Sequence, residues 1–229
     1  MNISAIILAA GKSARMGQNK LLMPWGNTTV LEKVIQTVQS AGIEDIILVT
    51  NPDLQFPIPD SRFPIPNLRI TINSTNHEML SSIQLGLQNL TPSQPPPNPL
   101  NESAEFSILS VADLPLRDAP RGEVPKAEGV LICLGDQPQV EERSVRLVCE
   151  AYQRNKSNLV VPSYQMRRGH PWLVARPLWG EILNMNVNQS PRDFLNAHAA
   201  EIEYVNVDTP TILQDVDTPA DYLKYKPNV

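Results

Sequence analysis

Cysteine is scarce in this chain: two in 229 residues, Cys133 inside an apolar run and Cys149 in an apparent helix, with no C-x-x-C and no Cys/His cluster. That leaves no zinc site and two reduced, buried thiols, as expected of a cytoplasmic protein. Long apolar runs are missing too. None approaches the ~18 residues a membrane span requires, and the chain enters an apolar strand at Ile3 without a basic stretch ahead of it. Nor is there a surplus of positive charge. With 19 Lys and Arg against 24 Asp and Glu, the net charge is -5, so no general field draws the surface toward nucleic acid or anionic lipid. No internal repeat is visible.

What is present suffices for one large domain, because 41% of the residues are hydrophobic. Short apolar runs alternate with helical periodicities, the pattern of an α/β fold with a largely parallel central sheet flanked by helices. Residues 3 to 10, 45 to 50, 68 to 73 and 129 to 135 read as buried strands, and 159 to 163, 171 to 175 and 202 to 207 as further extended segments. Thr28 or Thr29 can cap a helix whose apolar face is Val30, Leu31, Val34, Ile35 and Val38, with Gly42 ending it. A second helix around 79 to 90 carries Met79, Ile83, Leu87 and Leu90 on one face. A third, 142 to 153, carries Val145, Val148 and Tyr152, and a short one starts at Pro191. Proline breaks the rhythm twice: five fall within 51 to 66, and eight within 91 to 127. The second segment reads as an insertion between a helix and its following strand in a single domain spanning 1 to 229, with 106 to 111 as a local strand.

Residues 6 to 26 read "IILAAGKSARMGQNKLLMPWG" and contain Gly11-Lys12-Ser13, the last three letters of a P-loop. The first P-loop glycine is lacking, since its place falls on Ile6 inside the strand. The dinucleotide fingerprint fails as well, with only Gly11 and Gly17 available. The loop instead places Ala9, Ala10 and Gly11 at the carboxyl end of a first strand. Side chains that small let a flat base or a phosphate approach the backbone, where exposed amides bind anionic oxygen. Arg15 and Lys20 add fixed positive charge suited to a nucleoside triphosphate, although spacing alone also allows a solvated basic loop. Further on, "ICLGDQP" ends a strand in Gly135-Asp136, a carboxylate at the sheet edge where a magnesium ion carried by a triphosphate is held. Taken alone, Asp136 also serves as a cap or turn former. In "DVDTPADY", Asp215 and Asp217 offer a second carboxylate ahead of a helix that Thr218 caps with Pro219 first, one of the two being free to serve the turn.

"LAAGKSARMGQNKLL", "GDQP", "RRGHPWL" and "DVDTPADY" occur here in the order found in MobA-like nucleotidyltransferases, and the chain is identified as a member of that family. It resembles most the branch that includes molybdenum cofactor cytidylyltransferases. The resemblance implies a Rossmann-like nucleotidyltransferase fold, magnesium, and transfer of a nucleotide to a phosphorylated acceptor with release of pyrophosphate. By the same resemblance Leu8, Ala9, Ala10, Gly11 and Ser13 line the nucleotide, Arg15 and Lys20 neutralise the triphosphate, and Asp136 with Asp217 holds the metal. Asp217 is preferred to Asp215 because it matches the D-T-P-x-D motif. The segment 78 to 86 is similar to the family's G-M-x-x-S stretch, which carries over Ser82; Glu78 replaces the usual glycine. Arg168, Gly169 and His170 fall on the acceptor side, His170 either as a phosphate ligand or as a buried hydrogen-bonded histidine. His77 and His198 are read as structural or surface residues.

Three functions are compatible with this reading. The leading one transfers CMP from CTP to molybdopterin-type molybdenum cofactor, with transient contact to a molybdoenzyme. CTP is favoured because the guanylyl-transferring branch carries L-A-G-G where this chain has Leu8-Ala9-Ala10-Gly11, and the methyl of Ala10 narrows the room for a purine. One methyl is worth only ~1 to 3 kcal/mol of discrimination. A second reading changes the acceptor to a sugar or polyol phosphate. A third is a non-catalytic accessory protein that handles the cofactor, its Pro-rich insertion docking a partner enzyme.

Overall fold

A computed structural model describes residues 2–11, 13, 15–54, 67–74, 78–90 and 127–227. The segment 106 to 111, the Pro-rich insertion, most of 51 to 66 and His77 lie outside the described residues.

Strand β1 (Ile3–Ala9) is apolar apart from Ser4, whose hydroxyl donates to Asp45, because both of its faces are covered. Ile3, Ala5, Ile7 and Ala9 pack into one core cluster and Ile6 into a second, on opposite sides of the sheet. Two two-residue strands follow, β2 (Pro24–Trp25) and β3 (Thr28–Thr29), paired antiparallel. Thr29 then caps α1 (Val30–Ser40) through a reciprocal capping box with Glu32, and the helix buries Val30, Leu31, Val34, Ile35 and Val38 as its periodicity predicts. Next come β4 (Asp45–Thr50), β5 (Asn67–Ile72), α2 (Met79–Leu90), β6 (Gly129–Leu134) and α3 (Glu142–Asn155). The chain closes with β7 (Leu159–Tyr164), β8 (Arg167–Arg168), β9 (Trp172–Ala175), α4 (Trp179–Asn184), α5 (Pro191–Ala197), β10 (Glu203–Asn206) and α6 (Pro219–Tyr225).

Among the described residues, eight strands form one sheet in the order β10-β7-β9-β6-β1-β4-β5, with β8 added to β7. β6, β1, β4 and β5 are parallel, as are β10 and β7. β9 runs antiparallel between β6 and β7, so the sheet is mixed and mostly parallel. One face is covered by α1 and α3 and the other by α2, α4 and α5. The chain leaves β1 toward β4 on one side and meets β6 on the other. Ligands of open α/β sheets bind beyond the carboxyl ends of the strands at such a reversal.

Two expectations need correction. β5 is the sheet edge and half-exposed rather than buried. On α2, the buried positions are Leu80, Ser82, Ile83, Gly86 and Leu87, while Met79 stands exposed at the first turn. The helix is rotated so that Leu80 replaces Met79 against Ile47 and Val49.

Candidate active site

The carboxyl ends of β1 and β6 meet tightly. Gly135 donates its N–H to Leu8 O at 2.9 Å, and a Cβ at residue 135 would stand only 2.9 Å from that same oxygen. Glycine is therefore what lets β6 turn out beside Ala9 and deliver Asp136 at the sheet edge. Ala9 and Ala10 are buried and Gly11 is exposed, which leaves backbone as the accessible surface at the strand's end. Asn51, just beyond β4, donates from Nδ2 to Ala10 O at 3.2 Å and Gly11 O at 3.4 Å, while its Oδ1 accepts from Asp53 N. Sequence reasoning missed this buried amide, which looks like an ordinary turn former after a strand.

Ser13 shapes the loop that follows: its carbonyl accepts from Met16 N, and its Oγ accepts from Lys20 N at 3.2 Å. Met16 and Leu21 anchor the loop in the core. Asn19 caps the 3-10 turn Lys20–Leu22, its side chain accepting from Leu21 N. The backbone of Lys20 is thus fixed from both sides.

The last strand-to-helix segment reaches this edge through Val216 N, which donates to Asp136 O at 2.9 Å. Thr218 caps α6 in a capping box with Asp221, Pro219 following it, as the sequence predicts. Two carboxylates converge as a result: Lys20 Nζ lies 2.6 Å from Asp136 Oδ2 and 2.6 Å from Asp217 Oδ1, and the lysine side chain is only 12% exposed. Burial alone would push the lysine pKa down. The charges and hydrogen bonds of Asp136 and Asp217 outweigh it and hold the ammonium above its ordinary range. Arg15 stands farther out, its Nη1 3.9 Å from Asp217 Oδ2 and its side chain 77% exposed.

Asp215 faces elsewhere. It accepts from Gln137 Nε2 at 2.6 Å, and burial raises its pKa despite that bond, with Asp136 and Asp217 adding to the rise. Gln137 itself is buried, and its Oε1 has no partner among the described residues. Of the two candidate aspartates, Asp217 shares the lysine with Asp136. Among the described residues no group of three or more His, Cys, Asp or Glu side chains could hold a metal. Two carboxylates meeting at a single cation do fit a hard divalent ion that takes its remaining ligands from phosphate oxygen and water.

Ser82 is brought into a buried polar pair, its hydroxyl accepting from Asn73 Nδ2 at 3.0 Å. Glu78 is exposed where α2 begins. On the other side of the sheet, Arg168 in β8 donates from Nε to Tyr204 OH and from Nη1 to Asn196 Oδ1, at 2.9 and 2.8 Å. Gly169 is enclosed: a Cβ there would meet Ile212 O at 2.5 Å, and its N–H donates to Pro162 O. His170 N donates to Ile212 O, but the His170 ring makes no hydrogen bond among the described residues, so the hydrogen-bonded reading lacks its bond. Protein surrounds the ring closely enough that burial pushes its pKa down to about 4, leaving a neutral imidazole. His198 is braced between Glu181 and Glu201. The two thiols are buried as expected, burial pushing Cys149 up to about 12 and Cys133 higher still. No helix among the described residues is long and apolar enough to cross a membrane.

A Rossmann-like mixed sheet with small residues, cations and paired carboxylates at the β1/β6 edge defines a nucleotidyltransferase. The chain belongs to the MobA-like NTP transferase domain family, whose pattern matches residues 5–202. It is 25% identical over 227 residues to the molybdenum cofactor cytidylyltransferase of Escherichia coli K12, covering 98% of this chain and 95% of that protein. A shorter match, 42% identical over 52 residues, is to a "Probable molybdenum cofactor guanylyltransferase" of Carboxydothermus hydrogenoformans; it spans 23% of this chain and only 26% of that one. Rv0371c of Mycobacterium tuberculosis H37Rv superposes with a TM-score of 0.70 at 22% identity, over 99% of this chain and 98% of that one. Its complex with manganese gives 0.63 at 21%, over the whole of both chains. A 4-diphosphocytidyl-2C-methyl-D-erythritol synthase from Anaerococcus prevotii gives 0.62 at 20%, over 98% and 96%.

Proposed function

We propose that the chain transfers CMP from CTP to molybdopterin-type molybdenum cofactor and releases pyrophosphate. The observation that carries this reading is the meeting of Lys20, Asp136 and Asp217 beside the Ala9-Ala10-Gly11 strand end. Full-length similarity to a cytidylyltransferase of that cofactor supports the acceptor, and Ala10 in place of a second glycine supports CTP.

The phosphate of the acceptor is an anionic nucleophile at neutral pH. Its oxygen bonds to the α-phosphorus as the bond to the bridging α–β oxygen breaks, and pyrophosphate leaves with that electron pair. No general base is required, so the chain's task is alignment and charge neutralisation. The Ala9-Ala10-Gly11 backbone, with Leu8 behind it and Ser13 shaping the loop, bears on the base and sugar. Arg15 and Lys20 draw charge from the triphosphate, and Ser82 contacts the nucleotide once its hydroxyl exchanges partners with Asn73. Asp136 and Asp217 hold Mg2+, which when bound screens the triphosphate and the departing pyrophosphate. Arg168, Gly169 and His170 receive the acceptor; Tyr204 and Asn196 fix the Arg168 guanidinium, and His170 offers a neutral donor to phosphate. A molybdoenzyme takes up the product through transient contact.

Pyrophosphate release measured with molybdenum cofactor and CTP, GTP or ATP in turn tests the reading. Release with CTP above the other two is expected, and no release with any of them removes the proposal. Release with CTP only when a sugar or polyol phosphate replaces the cofactor moves the acceptor and leaves the chemistry standing.

A further inference from the structure

Lys20 Nζ occupies the point at which the Asp136 and Asp217 oxygens converge, 2.6 Å from each. A divalent cation bound by the same two carboxylates would stand about 2.0 to 2.1 Å from those oxygens if it were magnesium. The ammonium and such an ion cannot share that place, because two cations a few ångströms apart in a largely covered site repel strongly. Yet the triphosphate needs both of them. We infer that Lys20 is an internal counter-cation, so that the site accepts a divalent ion together with a triphosphate and only poorly as the bare ion. This rests on the nucleotidyltransferase reading and goes beyond it by assigning Lys20 the task of keeping a bare ion off the two carboxylates until a triphosphate draws the ammonium away.

The backbone makes the exchange a side-chain event. Lys20 N is held by Ser13 Oγ, Leu21 N by Asn19, and Lys20 O accepts from Met23 N. Only the flexible four-carbon stem has to move, from the carboxylates to the phosphates. An arriving triphosphate takes the ammonium, leaving Asp136 and Asp217 as two unpaired anions for the ion that arrives with it. Without nucleotide, the same carboxylates stay neutralised and resist a bare cation. By thermodynamic linkage the metal must strengthen nucleotide binding by the factor by which nucleotide strengthens metal binding.

The probe is Mn2+, its free fraction read by electron paramagnetic resonance, on the wild-type chain, Lys20→Gln, Lys20→Met and Arg15→Gln, each with and without α,β-methylene-CTP. In the absence of nucleotide both Lys20 variants are expected to bind Mn2+ on the order of tenfold tighter than wild type, since two charge-assisted bonds no longer compete. Arg15→Gln should change it less than about twofold, its guanidinium being exposed and 3.9 Å away. Adding the analogue should tighten Mn2+ binding strongly in wild type and much less in the Lys20 variants. Mn2+ affinity in both Lys20 variants equal to wild type without nucleotide, or no Mn2+ binding by any form with the analogue, overturns the inference. These measurements need no acceptor or turnover, so a failed cofactor assay leaves them standing.

Discussion

Replacing Asn51 by alanine tests whether the nucleotide face of the β1 loop is held in shape from behind. Asn51 is buried and makes three hydrogen bonds, at 3.2 Å to Ala10 O, 3.4 Å to Gly11 O and 3.0 Å from Asp53 N. The bond to Gly11 O is long and contributes least. Ala10 is buried, so truncation leaves its carbonyl without this donor, and the cost is set by that orphaned acceptor more than by the bonds themselves. A loss of about 2 kcal/mol follows, which in a chain of this size lowers Tm by roughly 4 to 8 °C. The two peptides facing the ligand also lose their fixed orientation. Binding surfaces tolerate about 0.5 Å of such slack, so affinity for a CTP analogue should fall on the order of tenfold. Asn51→Asp keeps the volume but sets an anion against two carbonyl oxygens beside the triphosphate, and should bind more weakly than alanine, with the deficit shrinking in salt. Calorimetric titration and thermal denaturation of both variants read these effects. Lower Tm with nucleotide affinity within twofold of wild type would refute the claim that Asn51 shapes the ligand-facing backbone.

Three other perturbations follow from the geometry. Gly169→Ala drives a Cβ to 2.5 Å from Ile212 O and should cost about 2 to 3 kcal/mol in denaturant unfolding; an unchanged midpoint would mean the segment is slack. His170 is neutral in the folded chain with its pKa pushed down to about 4, whereas unfolded histidine takes a proton near 6.5. The unfolded state therefore binds the extra proton, and stability falls as pH drops from about 6.5 toward 4, by up to ~3 kcal/mol, and is intact above that window. His170→Asn should flatten this part of the stability profile, and an unaltered slope assigns it to other groups. Asp217→Asn should lower kcat more than about a hundredfold, and Asp215→Asn less than about tenfold, because only Asp217 shares Lys20 with Asp136. The reverse order would exchange their roles.

What could be read in the sequence was local. The strand at 45 to 50 and the helix behind Thr29 emerge as expected because burial on both faces makes a strand continuously apolar, and a capped amphipathic helix announces its period. Thr218 and Pro219 start α6 for equally local reasons. Short elements were not legible: β2 and β3 have two residues each, and α4 has six, fixed by tertiary contact such as Trp179 Nε1 donating to Val174 O. Antiparallel β9 reads like any buried strand, since apolarity does not report direction. At the site, the residue types were visible but their partners were not. Lys20 lies 116 residues from Asp136 and 197 from Asp217, and no periodicity encodes an ion pair across that separation. Asn51 was silent for the same reason, 41 residues from the carbonyl it holds.

Those separations also explain why the C-terminal motif sits where it does. The loop after β1 carries Arg15 and Lys20, and the described residues among 10–29 have no sheet partner beyond the small β2–β3 ladder to hold them in register. The chain restrains them from the far end. Tyr222 on α6 donates its hydroxyl to Pro24 O at 2.6 Å, and its ring lies 6.2 Å from that of Trp25. Val216 N meanwhile ties the segment before α6 to Asp136 O, and Val216 is fully buried in the core. The single stretch from Val216 to Tyr222 thus fixes both the loop that carries Lys20 and the turn that carries Asp136, and contributes Asp217 between them. Loss of the Tyr222 hydroxyl in Tyr222→Phe should therefore act on the nucleotide site through geometry alone, raising the KM for CTP while leaving the acceptor KM unchanged. Equal effects on both substrates would mean that α6 supports the whole fold and has no particular hold on the Lys20 loop.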